Sequence, residues 1–158
     1  MTLEKTAELS HAEKIFRRLP GMWQLTRKVG TLGVFEGQAC FSATLPWTLR
    51  YREDGVLRQT SGPDLEGFRE FDFRLMLDAI AVDFVEDHRH GRRYVDLRFD
   101  PHGPDLFAQA IHTCPPDTYT HRMTWLADGS FEVVVEAQGP AKRHRLVSTY
   151  ERASSPRL

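Results

Sequence analysis

The sequence predicts a mainly β protein, a single antiparallel β-barrel over about residues 21–152 with one N-terminal α-helix at about residues 8–19. Three observations predict it. Apolar and polar residues alternate through most of the chain, which is the period of a strand with two unlike faces. Gly-, Pro- and Asp-rich turn signals interrupt that alternation every ~10–15 residues, as they do in antiparallel sandwiches and barrels. One face of many strands is mixed, apolar with scattered Tyr, His and Arg. A dry sandwich core would exclude those groups unless each were paired. A barrel of about eight to ten strands leaves room for a small ligand and water.

The elements follow in order. Glu8 to Arg18 read as the helix, with Ser10 as N-cap and Glu13 three residues on, the capping-box pattern. Ile15, Phe16 and Leu19 form its apolar stripe, and Pro20-Gly21 stop it. "MWQLTRKV" then sets Trp23, Leu25 and Val29 on one side and Gln24, Thr26 and Lys28 on the other. The same alternation runs through "GQACFSATL", "WTLRY", "FREFDFRLML", "AIAVDFV", "RRYVDLRF", "TYTHRMTWL", "SFEVVVEA" and "RHRLVSTYER". Turns are expected at Glu53-Asp54-Gly55, Ser61-Gly62-Pro63, Asp87 to Gly91, Pro101 to Pro104, Pro115-Pro116, Asp128-Gly129 and Gly139-Pro140.

Composition narrows the function classes. A chain of 158 residues, 41% apolar, suits one ordered domain over residues 1–158 with one sizeable core. With 21 basic and 22 acidic residues the formal charge is −1, which offers no field for nucleic acid or an anionic membrane. No apolar run approaches the ~20 residues of a membrane helix. "MTLEKTAELSHAEKIF" lacks the apolar centre of a secretory signal, so a cytoplasmic location is expected. Cys40 and Cys114 form no CxxC pair, and free thiols are expected rather than zinc ligands or a disulfide.

Alternation also yields the inward-facing set. With Trp23 go Leu25 and Arg27; with Phe71 and Phe73 goes Arg69. Tyr119, His121, Met123 and Trp125 share a face, as do Ala108, Ala110, His112 and Cys114, and as do His144, Leu146, Ser148, Tyr150 and Arg152. A guanidinium inside a barrel is costly unless it meets an anion or several acceptors, and a carboxylate or phosphate suits it bidentately. Arg27 and Arg69 are therefore candidate anion anchors. Against that, Arg69 can pair with Asp96 or Asp117 to close one end of the barrel, and Arg27 can reach solvent from a strand end.

"AIHTCPPDTYTH" gathers His112, Cys114, Asp117, Tyr119 and His121 around a Pro-Pro corner. The chemistry allows a catalytic reading, with His112 as general base, Asp117 orienting it and Tyr119 donating a proton. It equally allows metal or haem ligation through His112 and His121, or a hydrogen-bonded polar corner. "EDHRHGRR" and "AKRHR" read as solvated charge at a hairpin tip and an edge.

"GMWQL", a Gly-x-Trp opening the first strand after a short helix, and "YER", closing the last, together resemble the lipocalin and fatty-acid-binding-protein superfamily. There a Trp at the barrel base is covered by an Arg from the last strand. The resemblance thus implies a structural role for Trp23 and Arg152, by cation–π stacking. The order "GMWQLTR", "FEGQACF", "LRYREDGVL", "FREFDF", "AVDFVEDHRHGR", "HTCPPDTY", "GPAK" and "TYER" resembles, over about Leu19 to Arg152, the DUF6314-type family of lipocalin-like proteins. That family's His-x-Cys-x-x-Asp-x-Tyr segment is matched by His112, Cys114, Asp117 and Tyr119. Its Trp before Gly-Pro and its Gly-Pro-Arg-Lys-Asp-Tyr are not matched by "VVVEAQGP" and "GPAKRHR". The resemblance implies a fold and a site, and no particular reaction.

The expected function is binding of a small amphipathic or anionic molecule inside the barrel. Its ligand contacts are Trp23, Arg27, Arg69, Phe71, Phe73, His112, Tyr119, His121 and Trp125, with Phe41 and Phe84 completing the apolar wall. One alternative is a small-molecule enzyme of cyclase, isomerase or hydrolase type on His112, Asp117 and Tyr119. A second is haem or metal binding, and a third a barrel filled by its own side chains. The sequence specifies no cofactor and no metal-ligand set. The partner expected is a small molecule, and the oligomeric state stays open, a homodimer included.

Overall fold

The computed structural model describes residues 8–153. Helix α1 spans His11–Phe16 and is shorter than the 8–19 expected. Ser10 fixes its start, since its Oγ accepts the Glu13 N–H at 3.1 Å, and Arg17 and Arg18 complete a terminal turn. Ala12, Ile15, Phe16 and Leu19 are buried.

Eleven strands follow: β1 Gly21–Val29, β2 Gly33–Leu45, β3 Thr48–Gln59, β4 Leu65–Leu75, β5 Ile80–Phe84, β6 Arg93–Leu97, β7 Asp100–His102, β8 Asp105–Cys114, β9 Asp117–Trp125, β10 Phe131–Gly139 and β11 Lys142–Arg152. They form one antiparallel sheet in the order β6-β5-β4-β3-β2-β1-β11-β10-β9-β8-β7. The first and last strands pair, Trp23 opposite Arg152 and Arg27 opposite Ser148. The sheet curls into a barrel until β6 packs against β8, and no ladder pair joins those two strands among the described residues. α1 packs against β4 and β5.

Two expected turns are strands. Glu53-Asp54-Gly55 lies inside β3, because Gly55 is one of a row of three glycines running across the sheet, opposite Gly37 of β2 and Gly67 of β4. The Phe35 ring fills the space beside it: a Cβ on Gly55 would meet Phe35 Cζ at 2.6 Å. The Pro101–Pro104 region contains β7, which pairs with the start of β8.

One end of the barrel is packed solid. Trp23 is fully buried, edge-on to Phe131 (4.8 Å between centroids) and to Trp125 (5.9 Å). Phe131 stacks on Tyr150 at 4.3 Å. Trp23 Nε1 donates to the Leu19 carbonyl at 2.9 Å. The Arg152 guanidinium lies 3.9 Å from the centre of the Trp23 ring and donates to the Pro20 and Arg18 carbonyls. This ties the chain leaving the helix to the last strand.

Candidate functional site

Toward the other end the inward side chains stop short of one another and leave a cavity of about 290 Å³. Strand alternation places its lining. β4 contributes Arg69, Phe71 and Phe73; β8 contributes His112 and Cys114; β9 contributes Tyr119, His121 and Met123. Phe41, Phe84 and Phe131 complete most of the apolar wall, and Tyr94 of β6 adds a phenol. The structure thus brings together Arg69, Phe71, Phe73, His112, Tyr119 and His121 from the expected set. Trp23, Arg27 and Trp125, also expected at the ligand, are not part of this lining. The two tryptophans belong to the packed base, and Arg27 is consumed by an internal ion pair.

That pair centres on Glu53, a residue the sequence reading assigned to a turn. Glu53 is 2% exposed and Arg27 6%. Arg27 grips the carboxylate with both terminal nitrogens, at 2.7 and 2.9 Å, and donates Nε to Ser148 Oγ at 2.7 Å. Glu53 Oε1 also accepts from Tyr51 OH at 2.7 Å and from Arg69 Nε at 2.8 Å. Tyr51 has spent its only proton on Glu53, so the 2.9 Å contact with Tyr150 has Tyr150 donating. Burial pushes the Glu53 carboxyl up, but the Arg27 hydrogen bonds and the Arg69 and Arg27 charges outweigh it and hold the group at about 2. Arg69 therefore finds neither Asp96 nor Asp117 as partner. It shares a carboxylate that Arg27 already occupies. Two guanidinium groups face one carboxylate, and only Nε of Arg69 has a protein partner among the described residues.

A second cluster closes the seam between β6 and β8. His112 Nδ1 lies 3.0 Å from the Tyr94 carbonyl, and Tyr94 OH lies 3.1 Å from His121 Nδ1. Both imidazoles pack against the Tyr94 ring, at 5.3 and 5.4 Å between centroids. Burial, with the Arg69 charge adding to it, lowers His121 to about 4. Burial raises Tyr94 to about 12, against a smaller opposing pull from Arg69. Both are uncharged near neutral pH.

The expected Asp117–His112 dyad does not form. Hairpin register sets Tyr119 opposite His112 and leaves Asp117 opposite Cys114 at the turn. The Asp117 carboxylate lies over the backbone of Gly139, where a Cβ would meet its Oδ1 at 1.9 Å. His112 Nδ1 is taken by Tyr94 instead. Tyr119 accepts from Lys142 Nζ at 2.8 Å. Cys40 and Cys114 are both free thiols, Cys114 at the cavity rim. Among the described residues no three His, Cys, Asp or Glu side chains gather as a metal site. No helix there is long and apolar enough to cross a membrane.

Fold and site define a class: a β-barrel with a cavity toward one end, apolar over most of its wall. The family described as "Family of unknown function (DUF6314)" matches residues 19–152, and the chain belongs to it. No curated protein matches the sequence. Among solved structures, Rv2717c from M. tuberculosis superposes with a TM-score of 0.54 at 11% identity, covering 93% of this chain and 100% of that one. The redesigned β-barrel mFAP1 bound to DFHBI gives 0.46 at 17% identity, covering 87% and 98%. The S-type phycobiliprotein lyase CPES from Guillardia theta gives 0.43 at 12% identity, covering 91% and 93%. Identities this low speak to fold alone.

Proposed function

We propose that the barrel binds a small amphipathic anion, its acid group on Arg69 and its body against Phe41, Phe71, Phe73 and Phe84. One observation carries this reading. Arg69 lines the cavity, its side chain 37% exposed, while sharing Glu53 with Arg27, so the cluster holds one positive charge in excess beside an apolar wall. A charge in such surroundings is stabilised by an anion of its own, and the free edge of a guanidinium takes a carboxylate or phosphate in two parallel hydrogen bonds. At ~30 Å³ per water the cavity holds about ten waters' worth of ligand, which sets the size at roughly a dozen non-hydrogen atoms.

The test is calorimetric titration with a panel of aliphatic and aromatic carboxylates of that size, on the unmodified protein and on Arg69→Met. Arg69→Met keeps the stem and removes the charge. Loss of a charge-assisted pair worth about 1.5–3 kcal/mol predicts at least tenfold weaker binding. Equal affinities across the panel overturn the proposal. So does an unmodified protein that binds none of the acids.

A further inference from the structure

The seam cluster specifies the ligand further, on the reading that Arg69 holds its acid. A backbone carbonyl can only accept, so the 3.0 Å bond to Tyr94 requires the proton of neutral His112 to sit on Nδ1. Nε2 then carries a lone pair. It has no partner among the described residues, and His112 lines the cavity. The ring cannot turn freely to find one, being held edge-on to Phe84 at 5.5 Å and against Tyr94 at 5.3 Å.

A fixed acceptor in an apolar wall is matched by a donor on the ligand. An ammonium is disfavoured there, because Glu86, the carboxylate of the lining, is already paired with Arg89 at 2.8 Å and Arg69 adds a further positive charge. A neutral hydroxyl is not. The wall between the two anchors is aromatic. Arg69 lies 5.5 Å from the Phe71 ring centre, Phe71 is 5.7 Å from Tyr94, and Tyr94 is 5.3 Å from His112. A ligand that reaches from Arg69 to His112 therefore lies along these rings, and a flat aromatic body packs against them. We propose that the ligand is a hydroxylated planar aromatic acid, its carboxylate on Arg69 and its hydroxyl donating to Nε2 of His112.

The test compares 2-naphthoate with its hydroxy and methoxy derivatives at the far ring, by calorimetry, on the unmodified protein, His112→Asn and Arg69→Met. The Asn amide nitrogen stands in for Nδ1 and keeps the bond to the Tyr94 carbonyl, but offers nothing at the Nε2 position. The best hydroxynaphthoate is expected to bind about tenfold tighter than 2-naphthoate, as one well-placed hydrogen bond allows. The methoxy acids, which cannot donate, gain nothing. His112→Asn brings the hydroxy acids and 2-naphthoate to the same affinity, within about threefold of one another. Hydroxy isomers that all bind no better than 2-naphthoate overturn the proposal, as does a preference that survives His112→Asn. Naphthoates whose binding ignores Arg69→Met remove the anion reading itself, and this proposal with it. One readout needs no variant: the ¹⁵N resonance of His112 Nε2 should move with the hydroxy acid and stay still with the parent. A resonance that moves equally with both overturns the assignment.

Discussion

The two ends of this barrel share strands β9, β10 and β11 and treat their polar groups in opposite ways. At the base Trp23, Trp125 and Phe131 interlock, and the polar atoms there are spent: the Trp23 N–H on Leu19, the Arg152 guanidinium on two carbonyls and an indole face. At the cavity the side chains leave about 290 Å³ between them, and Arg69 and His112 each engage the protein through one nitrogen. Saturated polar groups in a dense core hold a fold together. Half-saturated ones beside a void keep donors and acceptors that the fold does not use. The Arg27–Glu53 pair stands at the border, fully satisfied itself and the reason Arg69 is not.

Substitutions can break that comparison. The largest effect expected is from Trp23→Ala, which should cost about 3–5 kcal/mol in urea unfolding, while Phe71→Ala at the cavity wall should cost less than half as much. Equal losses would mean that the cavity half carries the fold as well. Next comes Glu53→Gln, with about 3 kcal/mol expected from leaving Arg27 buried and unpaired.

Acid sharpens the same point. Glu53 titrates at about 2 in the folded protein against 4.5 ordinarily, so the unfolded chain takes up the proton first as pH falls. The stability it contributes is complete above 4.5 and is lost toward pH 2. Glu53→Gln should flatten that limb of a stability–pH curve. His121 gives an earlier limb of similar size. At about 4 against 6.5, it stays neutral in the fold while the unfolded chain is already charged. Stability should fall by roughly 3 kcal/mol between pH 6.5 and 4, and a His121→Gln protein should lack that portion. The smallest effect is at the base. Arg152→Met should lose about 1–2 kcal/mol, from the cation–π attraction and the two hydrogen bonds to the Pro20 and Arg18 carbonyls together, read as a shift in the urea midpoint at unchanged slope, with ligand affinity untouched.

The sequence carried the fold through its alternation, and alternation also assigned the inward faces of β1, β4, β8 and β9. That is why Arg69, Phe71, Phe73, His112, Tyr119 and His121 are legible in the sequence as one inward-facing set. What it did not carry were partners. Glu53 pairs with residues 26 and 16 positions away, and Tyr94 meets an imidazole 27 positions away. Such contacts depend on register, which a single sequence sets only weakly. The Asp117–His112 dyad failed in the reverse direction. The two are close in sequence, but a two-residue hairpin turn sets His112 across from Tyr119. Glu53-Asp54-Gly55 misled because glycine beside two acids reads as a turn, when this glycine instead makes room for Phe35.

The glycine row has a bearing on tolerance to mutation. A Cβ on Gly37 would lie 2.1 Å from the Asp54 carbonyl oxygen, and one on Gly55 would lie 2.4 Å from that of Glu36. These are backbone atoms, with no rotamer through which to yield. Any side chain at Gly37 must displace the peptide next to Glu53, and so the carboxylate that fixes Arg27 and leaves Arg69 partly free. In a saturation scan scored on ligand retention, Gly37 and Gly55 would rank among the least permissive positions although neither touches the cavity. On the proposed function, the footprint of this site in the gene is wider than its lining.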